Sequence, residues 1–159
     1  MTAASDRRGA APVGYLEDLG AVEAGAVMYF RLWAEGSEAQ AQVWAEFADA
    51  LGPTGGREAL GALEQLVSLC ARHARRPILR HGVACKCIGG DEACFANFIA
   101  AAAGGEREDA MLIATLLVRP DVAPLLVGLA ERLGLALRRM AGVRRAPPLS
   151  HRPEGATLH

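Results

Sequence analysis

Lysine is almost missing from this chain: Lys86 stands alone against sixteen arginines among 159 residues. Such a skew reflects codon bias in a GC-rich genome more than selection for guanidinium chemistry. Aromatic residues are scarce at 5%. Runs of β-branched or aromatic residues are also lacking, which argues against a sandwich or barrel, since strands draw on those residue types. Apolar runs are short as well. The longest, 93–103 and 110–118, fall well below the ~20 residues that a membrane-spanning helix needs. Arg7-Arg8 is followed by no apolar stretch before Glu17, so an export signal is not expected. The expected setting is cytoplasmic, where thiols stay reduced.

Motifs that would assign an activity are absent too. There is no Gly-x4-Gly-Lys-Ser/Thr phosphate loop, no Gly-x-Ser-x-Gly elbow and no His-Glu-x-x-His pair. No glutamate has a histidine three residues on, which excludes the carboxylate-bridged di-iron bundle. Gly89-Gly90-Asp91-Glu92 resembles the start of the Gly-Gly-Asp-Glu-Phe signature of diguanylate cyclases. The likeness ends there: Ala93-Cys94-Phe95 follows, and no strand pattern flanks it.

What is present is helix-forming. Alanine, leucine, arginine and glutamate dominate, and 52% of residues are apolar, enough for a core. Apolar spacing at three and four residues predicts about six helices in a single non-symmetric all-α bundle. The first runs over 13–34 on Leu16, Leu19, Val22, Ala26, Phe30 and Trp33. Glu23 intrudes on that stripe and is expected to be either buried and paired or at a groove edge. The second covers 37–51, with Ser37 and Gln40 as a capping box. Gly52-Pro53 then turns the chain into a third, capped by Thr54 and stopped by Pro77, with Cys70 in its core stripe. A fourth, capped by Asp91, ends at Gly104-Gly105. A fifth over 106–118 carries Glu106, Glu108 and Asp109 in its first turn, is apolar nearly all round over 111–118, and reads as the central helix. A sixth, capped by Asp121, runs to about residue 140. Residues 1–12 and 141–159 read as a disordered leader and tail around a helical domain over 13–140.

Charge is uneven although the net is −1. Residues 1–69 sum to −6 and residues 91–134 to −4, whereas residues 70–90 carry +5 with no acid and residues 135–159 carry +4. The acidic first segment opposes phosphate contact, so nucleic acid is not an expected partner. A protein partner or a second copy of the chain remains open.

The longest irregular stretch between helices, 75–90, lies in the basic block, and long loops in compact helical domains are more often functional than accidental. It holds His81, Cys85 and Cys87, and Cys94 follows in the next helix. Sulfur and imidazole nitrogen are what a tetrahedral zinc site takes, so His81, Cys85, Cys87 and Cys94 are the candidate metal ligands. An iron–sulfur cluster would want a fourth cysteine, and Cys70 belongs to the core. Two other readings use the same residues. Lys86 between two thiols suits a reactive or redox-active pair at Cys85 and Cys87. Alternatively, the cysteines are inert and the chain is a helical interaction module. The leading expectation is a small cytoplasmic bacterial accessory or regulatory protein with a zinc site; whether it is an enzyme is left open.

Overall fold

The computed structural model describes residues 7–146. The outer parts of both expected tails, 1–6 and 147–159, lie outside the described residues. The chain forms an all-α bundle with one short ribbon: β1 (Pro12–Tyr15), α1 (Ala21–Ala34), α2 (Ser37–His73), β2 (Cys87–Gly89), α3 (Gly90–Ala103), α4 (Arg107–Leu117) and α5 (Ala123–Arg145). Single 3-10 turns lie at Arg8–Ala10 and Leu16–Asp18. The second and third expected helices are the two arms of α2. They meet at Gly52, whose φ of +79° breaks the helical path just before Pro53. α5 runs five residues past its expected end.

The largest departure is at the N-terminal end. Residues 12–20 do not start the first helix. β1 pairs antiparallel with β2, joining Pro12 to Gly89, Gly14 to Ile88 and Tyr15 to Cys87. Leu16 N–H donates to the Lys86 carbonyl at 2.8 Å and Gly90 N–H to that of Ala11 at 3.2 Å. Leu16 and Leu19 still reach apolar partners, packing on Val27, Ile88 and Ala96, but from a turn and not from a helix. Gly89 has to be glycine: a Cβ there would lie 2.9 Å from the Gly9 carbonyl oxygen and 3.2 Å from His81 Nε2.

α3 is the central helix, in place of the segment over 106–118. Phe95, Phe98 and Ile99 are completely buried, and α3 packs on α1, α4 and α5. α4 buries only Ala110, Ala114 and Leu117, and leaves Leu112 66% and Leu116 69% exposed. The alanines of α3 let α5 come close at Gly134, where a Cβ would sit 2.6 Å from that of Ala103. Cys70 lies in the core at 3% exposure, and burial pushes its thiol up to about 12.

The expected caps are used otherwise. Gly36 precedes α2, and Gln40 reaches back to the Trp33 carbonyl at 2.9 Å. Thr54 lies inside α2, and Asp121 pairs with Arg119 at 3.4 Å while Val122 caps α5. Gly89, not Asp91, caps α3. Glu23 takes the groove-edge position: it is half-buried beside Arg138 and Asp109 at the rim of a cavity of about 590 Å3.

Two glycines of α5 give opposite expectations. Gly134→Ala overpacks the α3–α5 contact and should lower the unfolding free energy by about 1–3 kcal/mol. Gly128→Ala meets nothing within 4 Å and should raise it by up to about 1 kcal/mol through helix propensity. Urea denaturation of both variants measures the difference.

Candidate metal centre

The site is built around an arginine. Between Glu23 and Glu35 the only charged residue is Arg31, and α1 carries it into the interior with its side chain fully buried. A buried guanidinium requires acceptors for its donors. Glu92, in the first turn of α3, supplies a carboxylate that is equally buried. Nε donates to Oε2 at 2.5 Å and Nη2 to Oε1 at 3.0 Å. Two of the remaining three N–H donors reach backbone: Nη1 to the Cys85 carbonyl at 2.7 Å and Nη2 to the Cys87 carbonyl at 2.7 Å. Glu92 Oε1 also accepts the N–H of Gly89 at 3.1 Å. One ion pair therefore ties α1, α3 and the two cysteine residues together.

The next acid holds the other end of the loop. Asp91 takes two hydrogen bonds from Arg76, at 2.6 and 2.9 Å, and one from Leu79 N–H at 2.8 Å. Its role is to tether the incoming chain rather than to cap a helix. Further back, Arg75 Nε donates to the Thr115 carbonyl at 2.6 Å. The irregular segment is thus fixed at 75, 76, 79, 85 and 87.

Between these anchors three ligand-type atoms converge. His81 Nδ1 lies 3.3 Å from Cys85 Sγ, and Cys85 Sγ lies 3.5 Å from Cys87 Sγ. All three residues offer ligand atoms within 4.8 Å of one another, and the group could hold a metal ion. His81 Nε2 sits 2.7 Å from the Ala10 carbonyl oxygen. A carbonyl only accepts, so Nε2 carries a hydrogen; Nδ1, which faces the sulfurs, is bare and able to ligate when the ring is neutral, and donates to the Cys85 sulfur when the ring is protonated. Metal-bound histidines are oriented in this way, with the non-ligating nitrogen donating to a carbonyl or carboxylate.

Cys94, expected as the fourth ligand, does not join the group. Among the described residues the cluster is His81, Cys85 and Cys87 alone. Cys94 packs half-buried against the main core, where burial and then the Asp91 carboxylate raise its thiol. The helical turn that separates it from Gly90 faces it toward apolar neighbours.

Electrostatics split the two loop thiols. The hydrogen bond with His81, helped by the N–H and thiol of Cys87, lowers Cys85 to about 7. Cys87 is raised, chiefly by its hydrogen bond with Cys85. His81 is raised by the Cys85 contact and then by the Ala10 carbonyl. Deprotonated sulfur is the form that binds metal or attacks an electrophile. The loop is half-exposed, with Gly82, Ala84 and Lys86 exposed, so the sulfurs are reachable.

The sequence reading missed Arg31, Glu92 and the Ala10 carbonyl as parts of this site. Arg31 did leave a signal, as the one charge in an eleven-residue apolar run. Ala10 left none, because an Ala/Gly-rich leader has no periodicity. No family model matches the chain, and no match is found among curated proteins or solved structures.

Two outcomes follow from this geometry. Arg31→Met leaves Glu92 charged and buried without its partner and should cost about 3–5 kcal/mol in unfolding free energy. Adding Glu92→Leu should recover part of that loss, as a thermal or urea melt of the double variant would reveal. In metal-free, reduced protein, alkylation of Cys85 should rise with pH around 7, below the ordinary thiol at ~8.5. Cys94 should react only at higher pH. Peptide mass mapping of iodoacetamide adducts across a pH series distinguishes them.

Proposed function

We propose that this protein binds one zinc ion through His81 Nδ1 and the sulfurs of Cys85 and Cys87, with the fourth position open to water or to a partner's side chain. The single observation that carries the reading is the fit of the three atoms to tetrahedral coordination. Zinc bonds of ~2.3 Å to sulfur and ~2.0 Å to nitrogen put two sulfurs about 3.8 Å apart, and sulfur about 3.5 Å from nitrogen. The sulfur–sulfur and Cys85 sulfur–Nδ1 separations are 3.5 and 3.3 Å, and all three ligand atoms lie within 4.8 Å of one another, so side-chain shifts alone would admit the ion. The oriented imidazole and the clamped cysteine carbonyls supply the supporting shell that metal sites commonly have.

Purely structural zinc sites close with four protein ligands, so three ligands leave a position for water or for a partner's side chain. The reading is of an accessory or regulatory protein, bacterial and cytoplasmic, whose loop reports metal. Binding would add its free energy to the ordering of the 75–90 segment. No helix among the described residues is long and apolar enough to cross a membrane.

Elemental analysis of protein purified without chelator tests this. One zinc per chain is expected, with EDTA lowering the melting temperature. His81→Ala, Cys85→Ser and Cys87→Ser should each lower zinc affinity at least tenfold, while Cys94→Ser should leave it unchanged. Loss of binding on Cys94→Ser, or no zinc and no response to EDTA in wild type, would rule the site out.

A further inference from the structure

We propose that Cys85 and Cys87 also form a reversible disulfide, made by exchange with a low-molecular-weight disulfide, and that this reaction ejects the metal. The proposal rests on the zinc reading for its second half only. Its first half rests on how the two sulfurs are held. They lie 3.5 Å apart, and a disulfide at ~2.05 Å requires them to close by about 1.5 Å. Both carbonyls are fixed by Arg31 at 2.7 Å, so that movement falls to the side-chain bonds. The Arg31–Glu92 clamp involves no metal ligand atom, so the sulfurs stay adjacent when the ion leaves.

Competing partners are out of the way. Cys70 is buried in the core, and Cys94 packs among apolar residues outside the cluster. Both loop thiols stand on a segment whose neighbours Ala84 and Lys86 are exposed, so a small disulfide can approach in line. A ring closed across one intervening residue is tight, and strained disulfides are readily reduced again. The product is therefore a switch and not a permanent crosslink.

The chemistry balances without another reactant. Cys85 sulfur attacks one sulfur of the small disulfide, forming a mixed disulfide and releasing one thiolate. Cys87 sulfur then attacks Cys85 sulfur, forming the Cys85–Cys87 bond and releasing the second thiolate. The protein dithiol is oxidised by two electrons and the small disulfide is reduced to two thiols. Starting from the zinc form, two coordinated thiolates become one neutral disulfide, and the divalent cation leaves with the two small thiolates. His81 alone does not hold it, since two of its three protein ligands are gone.

The test uses the full chain, reduced, loaded with one equivalent of zinc and treated with excess oxidised glutathione. Zinc release is followed with a colorimetric chelator, and disulfides are mapped by non-reducing mass spectrometry. The expected result is near-complete loss of zinc together with a Cys85–Cys87 bond, both reversed by dithiothreitol and fresh zinc. Cys87→Ser, treated likewise, should stop at a glutathione adduct on Cys85. Thiols left unreacted, an unresolved adduct on wild type, or a bond to Cys94 would overturn the inference even if zinc binds. A Cys85–Cys87 bond in a protein that binds no zinc would uphold the exchange, remove the gating and contradict the metal site separately.

Discussion

A guanidinium and a carboxylate, both sealed from water, hold this molecule's working end together. Arg31 and Glu92 come from α1 and α3, and their union is what lets a charged pair occupy the interior at all. Burying two ions is costly, and their mutual attraction offsets that cost only when the leftover donors also find acceptors. Here two of the three leftover donors find the carbonyls of Cys85 and Cys87. The demand for hydrogen bonds inside the core thus dictates where a surface loop must run. Every buried side-chain polar atom among the described residues is satisfied, so the arrangement leaves no alternative partner to compete for the loop.

From that clamp the rest of the site follows by short steps. Holding the two cysteine carbonyls on one side brings the two sulfurs side by side. β2 then continues from Cys87 and recruits β1, and the turn before β1 delivers the Ala10 carbonyl to His81. Asp91 secures the opposite end through Arg76 and Leu79. The adjacent acids Asp91 and Glu92 therefore act at two ends of one loop, and the N-terminal segment serves as its outer wall.

The bundle was readable in advance because helices announce themselves through periodic apolar residues. Phe95, Phe98 and Ile99 at three- and four-residue spacing needed nothing further to be placed in a core. Cys70 was placed there by the same reasoning. The centrality of α3 was not readable: alanine looks weakly apolar in sequence, yet its small volume is what admits three neighbouring helices. The ribbon escaped for a different reason. Leu16 and Leu19 fit a helical stripe as well as they fit a packed turn, and only pairing with residues more than seventy positions away decides between them. In the site, His81, Cys85 and Cys87 were legible from donor chemistry and proximity in the chain. Cys94 lies outside that group, because closeness in sequence says nothing about which face of a helix a residue takes. Arg31 required knowing that a charge on an apolar helix had a carboxylate sixty-one residues away.

The central claim is one of coordination: two sulfurs and one imidazole nitrogen around a single ion. X-ray absorption at the zinc edge measures that shell directly on the reduced, metal-loaded protein. Two sulfur scatterers near 2.3 Å and nitrogen or oxygen near 2.0–2.1 Å, with the imidazole's outer-shell signature, are the expected result. A shell of light atoms alone, or one with three or four sulfurs, would contradict it.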